Sequence, residues 1–221
     1  MNLKLLHIFL LSTAGTFLLC TPFINTVELA NGLVTGKMCW FHLAMLFFSV
    51  CVFFVMLTKK GTVIAFTFSD PLVLFFAGGV LITYKWNLNP EPEKLIFAGQ
   101  LVILWFLLRY VLTAYREFKF FFLFVLMFTG LIEAVWGMQQ LHGYSHSNHS
   151  LFRLTGSFFN PGPYSGYIAV ILPVCLWTAL RFQKGMHYFA WICVGAILIV
   201  LPAGMSRSAW IAAVVACGWV Y

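Results

Sequence analysis

The sequence predicts an all-α protein, a polytopic bundle of transmembrane helices. Of its 221 residues 62% are hydrophobic and only 9% are charged, whereas a soluble domain carries about 25% charged residues. A chain so poor in charge cannot cover a globule with polar side chains, which excludes a water-soluble fold. The apolar runs are continuous over about twenty residues, without the alternation of a membrane barrel, so the spans are expected to be helices.

About eight spans are expected from apolar windows of membrane length. The predicted segments are 3–20, 38–57, 71–84, 95–115, 120–141, 164–182, 187–204 and 208–221. The first resembles a signal peptide, but because more spans follow it is interpreted as an uncleaved helix. Basic or polar turns separate the others, among them KWNLNPEPEK before the fourth, REFK after it and RFQK after the sixth. No polar tail closes the eighth, so residues 1–221 are expected to be one transmembrane domain, the N-terminal part of a larger protein.

The third span has two interpretations. Ser69, Asp70 and Pro71 have the composition of a helix start, with Asp70 as N-cap and Pro71 at the first helical position. This predicts a short span over residues 71–84. The alternative is one longer span from residue 62 with Asp70 inside it.

The distribution of basic residues predicts the orientation. One face receives more of them (Lys4, Lys59, Lys60, Arg116, Lys119, Arg181 and Lys184) than the other (Lys37, Lys85, Lys94, Arg153 and Arg207). The positive-inside rule then gives a cytoplasmic N-terminus. Because the basic residues are dispersed among short loops, the net charge of +7 does not indicate a nucleic-acid partner.

The stretch RLTGSFFNPGPYSGY, residues 153–167, breaks the apolar pattern. Its glycines, Gly156 included, allow positive φ or close backbone approach. Asn160 opens a strong turn signal, NPGP. Ser157 and Asn160 offer hydrogen bonds, and Arg153 offers a permanently charged fork suited to phosphate. Because Arg153 belongs to the less basic face, this loop is expected on the outward side of the membrane. It is therefore a candidate site for an anionic headgroup.

A second polar element, GMSRSAW, lies between the last two predicted spans and contains Ser206 and Arg207. A charged residue at a span boundary on the less basic side is a functional hypothesis. Two outward arginines, Arg153 and Arg207, suit a lipid-linked diphosphate, which each can bind bidentately. A lone outward arginine more often anchors a helix at lipid phosphates, and from the residues alone both interpretations stay open.

Other polar residues carry weaker signals. His142, His146 and His149 have a spacing that a helix would place on one face, but their Ser- and Asn-rich segment is better interpreted as a solvated loop. Glu133 lies inside the fifth span, where a carboxyl group needs a polar partner. It is neutral or paired with Arg109, and the sequence does not decide between these.

Taken in order, LIEAVWGMQQLHG, RLTGSFFNPGPYSGYIAVILPVCLW and GMSRSAW resemble the O-antigen ligase and O-antigen polymerase superfamily over roughly residues 131–212. The shared features are a span ending in Gln, an R-x-TG-x-F-x-N turn, a small-residue span containing Pro, and an SR-x-AW element. The NPGP turn departs from the commoner NPN form, which leaves the subfamily open.

This resemblance implies a bacterial inner-membrane enzyme of lipopolysaccharide biosynthesis with a GT-C-like fold. Such enzymes transfer a glycan from undecaprenyl diphosphate to a periplasmic acceptor (another glycan, lipid A-core or a protein hydroxyl) without metal or nucleotide cofactor. It implies that Arg207 and then Arg153 hold the lipid diphosphate, supported by Gly156, Ser157, Asn160 and Ser206. The family's catalytic base is a histidine in a large periplasmic loop, expected beyond residue 221, so none of the three loop histidines is assigned that role.

The alternative functions are a transporter or flippase of lipid-linked saccharide and a structural membrane subunit. A transporter should show charges along a central path and repeated halves. The sequence has few intramembrane charges and no repeat, which favours the glycosyltransferase.

Overall fold

The computed structural model describes residues 3–26, 31–59, 61, 62, 64, 66–87 and 91–220. Over these residues the chain forms helices and no strand, which confirms the all-α class. One short 3₁₀ helix, Thr21–Phe23, accompanies eight α-helices. These are α1 (Leu3–Leu19), α2 (Gly32–Thr58), α3 (Ser69–Trp86), α4 (Pro92–Ala114), α5 (Arg116–Leu141), α6 (Pro161–Arg181), α7 (Gly185–Ala203) and α8 (Arg207–Val220).

Five helices, α2, α4, α5, α6 and α7, are long and apolar enough to cross a membrane. Helix α8 is also apolar, but its 14 residues span only about 21 Å at 1.5 Å per residue, less than the ~30 Å of a bilayer core. Large apolar side chains are widely exposed, for example Phe75 at 83%. Such surfaces suit contact with lipid, and the count of eight spans stays a prediction.

Two predicted turns belong to helices. REFK is the first turn of α5, because the single extended residue Tyr115 is enough to separate α4 from α5. Helix α6 begins at Pro161, three residues before the predicted start of its span. Its first turn contains two prolines and a glycine, which an apolar window excludes but which a helix tolerates at its N-terminus.

The short interpretation of the third span is confirmed as a helix, α3, which extends two residues further at each end than predicted, and the role of Asp70 is corrected. Residues 61, 62, 64, 66 and 67 are not helical, so the longer span from residue 62 is wrong. Asp70 is not the N-cap but lies inside the first turn of α3, where its carboxylate accepts the Thr67 N–H at 2.7 Å. This is the carboxylate half of a capping box, a motif that places the acidic residue three positions after the cap.

The chain divides into two compact units. Unit 1 comprises Met1–Leu18 and Phe41–Phe120, and α3 packs against α4 within it. There the Arg109 guanidinium binds both carboxylate oxygens of Asp70, and Trp105 Nε1 donates to the same carboxylate at 2.9 Å. Asp70 is completely buried. A carboxylate in an apolar helix pair needs such partners because an isolated charge is costly there.

Unit 2 comprises Leu19–Trp40 and Phe121–Tyr221. Its core is formed largely by α6 packing against α7 and α8. Small buried residues such as Ala169, Cys175 and Ala190 lie among branched ones such as Ile168 and Ile197. Small residues let membrane helices approach closely, and this packing positions both arginine-bearing segments, which belong to unit 2.

Candidate functional site

Gln140, in the last turn of α5, holds the polar loop (residues 142–160) that precedes α6. Its side chain is 2% exposed. Its Oε1 accepts the backbone N–H groups of Thr155, at 2.9 Å, and Gly156, at 2.7 Å. Its Nε2 donates to the carbonyls of Gly156, at 3.1 Å, and His146, at 3.0 Å. One side chain thus satisfies four backbone groups, and the loop is ordered by the helix before it.

Glu133 lies seven residues earlier, on the same face of α5 as Gln140. It is completely buried, and its Oε2 accepts the backbone N–H of Ser157 at 3.0 Å. Its Oε1 has no hydrogen-bond partner in the described part of the chain. The sequence left the partner of Glu133 open. In the structure this partner is the backbone amide of Ser157, whereas Arg109 binds Asp70.

The segment before α2 also joins the loop. Ser157 Oγ donates to the carbonyl of Pro22 at 2.6 Å. Lys37, in α2, donates to the same carbonyl and, at 2.8 Å, to the carbonyl of Ile24. The Lys37 ammonium lies 5.6 Å from the ring centroid of Phe158. The sequence position of Lys37 predicts a topology signal, but a cation in the second turn of an apolar helix also indicates a local acceptor.

Gly156 is the residue that the loop geometry requires. Its φ is +53°, in the left-handed region that favours glycine. A Cβ there would lie 2.3 Å from Glu133 Oε2 and 2.4 Å from Tyr164 Cδ2. The sequence prediction of positive φ or close approach is therefore confirmed at Gly156.

Asn160 is the N-cap of α6. Its Oδ1 accepts the N–H of Gly162 at 2.9 Å, and Pro161 occupies the first helical position. The predicted turn is thus also the start of the helix, which fixes where the loop ends and α6 begins.

The turn between α7 and α8 lies against the start of α6. Ser165, in the second turn of α6, donates through Oγ to the carbonyl of Gly204 at 3.1 Å. Met205 has a φ of +53°, a conformation that costs a non-glycine residue about 1–2 kcal/mol. The strained residue precedes Arg207 by two positions, and backbone strain concentrates at functional sites.

Ser206 caps α8. Its Oγ accepts the N–H of Ala209 at 3.4 Å, and its carbonyl accepts the N–H of Trp210 at 3.2 Å. Trp210 Nε1 donates to the carbonyl of Leu201 in α7 at 2.9 Å. These bonds fix the position of Arg207, the first residue of α8.

Both predicted anion-binding arginines are exposed. The side chains of Arg153 and Arg207 form no hydrogen bond or ion pair with another residue that the structure describes. Arg153 lies in the polar loop, and Arg207 lies in the turn that contacts the start of α6. A cation at a helix N-terminus costs about 0.3–1 kcal/mol, so Arg207 is not explained by helix stability. The N-termini of α6 and α8 share this end of unit 2, and their dipoles favour an anion there.

An apolar groove of about 480 Å³ runs between α6, α7 and α8. Its lining contains Leu201 and Pro202 at the end of α7, Trp210 in the first turn of α8, and Cys217 farther along α8. The groove therefore extends along the helices from the turn that bears Arg207. Its lining residues are apolar, which suits a hydrocarbon chain.

The three loop histidines do not share a helical face, because His142, His146 and His149 all lie outside the helices, in the polar loop. His149 Nδ1 accepts the N–H of Leu151 at 3.1 Å, and the His146 carbonyl is held by Gln140. No group of three or more His, Cys, Asp or Glu residues in the described ranges is arranged to hold a metal ion.

Replacing Gln140 by alanine should destabilise the loop strongly. The N–H groups of Thr155 and Gly156 would be left buried without a partner, at about 1–3 kcal/mol each. The expected result is a melting temperature in detergent several degrees below that of the wild type, with increased protease cleavage in residues 142–160. Gln139→Ala is the matched control because the Gln139 side chain is exposed. Equal melting temperatures for the two variants would show that the Gln140 side chain does not hold the loop.

Comparison with known families, curated proteins and solved structures gives no family-model match, no curated match and no structural match for this chain.

Proposed function

We propose that this protein is an O-antigen ligase-like glycosyltransferase of the bacterial inner membrane, with a GT-C-like arrangement and a cytoplasmic N-terminus. It transfers a glycan from undecaprenyl diphosphate to a glycan, lipid A-core or protein acceptor on the periplasmic face, without a metal. The ordered resemblance of three motifs over residues 131–212 supports this proposal. The acceptor class, and hence ligation or polymerisation, is left open by it.

The observation that carries the proposal is the exposed Arg207 at the start of α8, just after a turn that is hydrogen-bonded to α6. The loop with Arg153 leads directly into α6, and the turn with Arg207 is hydrogen-bonded to Ser165 of that helix. A guanidinium group at the N-terminus of α8 and a second one in the loop that leads into α6 would attract a diphosphate more strongly than one.

The apolar groove supports the same ligand. A polyprenyl diphosphate has a charged head and a long hydrocarbon tail, and this end of unit 2 offers both a basic surface and an apolar channel leading from it. With the diphosphate at Arg207, the tail would enter the groove beside Trp210. Burying apolar carbons there contributes about 25 cal/mol per Å² of surface removed from water.

The arginines would act on the leaving group. In an inverting transfer the acceptor hydroxyl oxygen bonds to the anomeric carbon while the bond from that carbon to the diphosphate oxygen breaks. The bonding electrons go to the diphosphate, and the hydroxyl proton goes to a general base. Arg207 and Arg153 stabilise the negative charge that grows on the diphosphate in the transition state, which lowers the barrier.

Replacing Arg153 by lysine should impair transfer although the charge is retained. Lysine supplies a point charge and lacks the planar fork that binds two phosphate oxygens at once. We expect a turnover rate about tenfold lower, for a loss of ~1.4 kcal/mol in transition-state stabilisation, with unchanged insertion and melting temperature. Full activity of Arg153→Lys would instead show that Arg153 anchors the loop at lipid phosphates.

The reaction class is tested by the product. Membranes containing the protein are supplied with radiolabelled undecaprenyl-diphosphate-linked glycan and with candidate acceptors, and the lipid products are separated. The proposal predicts free undecaprenyl diphosphate and a labelled acceptor. Movement of the intact lipid-linked glycan across the bilayer without cleavage would contradict it and favour a transporter. Absence of both results in every acceptor arm would contradict it in favour of a structural subunit.

A further inference from the structure

A second basic site lies in unit 1, where the start of α1, the end of α2 and the α4–α5 turn meet. These three segments line a cavity of about 600 Å³. Lys4, Lys59 and Arg116 contribute cations to its lining, and Glu117 contributes a single carboxylate. This basic pocket therefore has a positive formal charge, and it is separate in the chain from the arginines of unit 2.

The floor of the basic pocket is a built hydrogen-bond network. His7 is buried, with Nδ1 2.6 Å from Tyr115 Oη and Nε2 2.8 Å from Thr58 Oγ1. The Thr58 hydroxyl donates its only hydrogen to the Phe54 carbonyl at 2.8 Å, so it accepts from His7 Nε2. Tyr115 is then the donor to Nδ1, and burial raises the pKa of Tyr115, which keeps this hydroxyl protonated.

Lys59 is held over this floor. Its ammonium donates to the carbonyl of Ala114, the last residue of α4, and lies 4.0 Å from the ring centroid of Tyr115. Its hydrogen bond and its ring contact are to uncharged groups, and the exposed carboxylate of Glu117 lies close enough to interact with its charge. Lys59 is therefore a fixed cation and not a side chain moving freely in solvent.

Two further cations, Lys4 and Arg116, line the basic pocket. Lys4 binds Glu117 at 2.6 Å, but both side chains are more than half exposed, and such surface pairs contribute only about 0–1 kcal/mol. The Arg116 guanidinium lies 5.6 Å from the Phe120 ring centroid. It forms no hydrogen bond with the residues that the structure describes. Arg116 is also the first residue of α5, whose N-terminal dipole favours an anion.

The surroundings of the basic pocket are those of a membrane surface. Leu3, which lines the cavity, and the nearby Leu5 and Leu57 are exposed apolar residues. Cations in the lining of a site and exposed leucines close to them in the chain match a molecule with an anionic head and hydrocarbon chains. We propose that the basic pocket binds the phosphodiester headgroup of an anionic phospholipid, with Lys59 and Arg116 contacting the phosphate and the acyl chains lying along the leucines.

The proposal is tested by native mass spectrometry of the whole chain in a neutral detergent. The probe is dioctanoyl phosphatidylglycerol, and dioctanoyl phosphatidylcholine and inorganic phosphate are separate arms. We expect phosphatidylglycerol to bind most tightly. Lysine or arginine next to an anionic lipid contributes roughly a factor of five in affinity, so Lys59→Gln with Arg116→Gln should weaken binding about thirtyfold.

The matched control is Arg181→Gln with Lys184→Gln, which removes two cations from exposed positions in unit 2. This pair should leave phosphatidylglycerol binding unchanged, and an equal loss would show that only net charge matters, which overturns the site. Equal binding of phosphatidylcholine also overturns it. If inorganic phosphate binds as tightly as phosphatidylglycerol, the site takes a small anion and the lipid assignment is wrong.

Loss of Lys59 removes its bond to Ala114, so the double variant is checked for an unchanged melting temperature. If it does not fold, Arg116→Gln alone decides the question, since Arg116 is exposed and its recorded contact is the Phe120 ring. This single variant should weaken phosphatidylglycerol binding about fivefold. Wild-type affinity in Arg116→Gln would overturn the proposal.

Discussion

Arg207→Ala should abolish glycan transfer and weaken diphosphate binding about 100-fold, for the loss of ~2–3 kcal/mol from charge-assisted bidentate hydrogen bonds. The same substitution should slightly increase the free energy of unfolding. Arg207 is exposed and begins α8, so removing it relieves an unfavourable cation at a helix N-terminus, worth about 0.3–1 kcal/mol. A variant that is inactive and yet at least as stable as the wild type identifies a ligand-binding residue.

The binding measurement uses farnesyl diphosphate as a short analogue of the donor lipid, titrated into the purified protein. Arg181→Ala is the matched control, because Arg181 is an exposed arginine at the opposite end of α6. Its removal should leave farnesyl diphosphate affinity unchanged. Affinity of Arg207→Ala within twofold of the wild type would exclude this residue from a diphosphate site.

Gly156→Ala should cause a large loss of stability. Alanine in the left-handed conformation costs about 1–2 kcal/mol. The added methyl group would also meet Glu133 Oε2 and the Tyr164 ring at well under van der Waals distance, and such overpacking costs about 1–3 kcal/mol more. The total of ~2–5 kcal/mol should displace the loop from Glu133 and Gln140, and activity should fall with it.

Gly143→Ala separates these two causes. Gly143 also has a positive φ, +79°, but a Cβ there would meet no atom within 4 Å. The Gly143→Ala variant should therefore be destabilised only by the ~1–2 kcal/mol that the strained backbone conformation costs. Thermal unfolding of both variants in the same detergent measures the difference. Equal melting temperatures would mean that the contact of Gly156 with Glu133 does not constrain the loop.

Hydropathy predicted the all-α class and the approximate position of each long helix, because apolar length is a property of a local window. Caps were harder. The sequence predicted a turn at Asn160, but the prolines that follow it concealed that α6 starts at Pro161. Asp70 was placed at the cap, although a threonine three residues earlier signals the carboxylate half of a capping box.

Partners of buried polar residues were least predictable, since they depend on contacts between distant parts of the chain. Lys37 meets carbonyls of residues 22 and 24, and Glu133 meets an amide 24 positions away. One signal was present: Glu133 and Gln140 are seven residues apart, which puts two polar side chains on one face of an apolar helix. The candidate arginines were chosen by motif, and their diphosphate role stays a prediction.

The hydrogen bonds between Gln140 and the polar loop have a kinetic consequence. Because Oε1 holds the amide hydrogens of Thr155 and Gly156, these hydrogens should exchange with deuterium only when the whole loop opens, on the slow timescale of cooperative local unfolding. A loop that is ordered before a ligand arrives does not have to be ordered by it. Capture of a donor lipid would then be limited by lateral diffusion in the bilayer, and affinity would be governed by the rate of release.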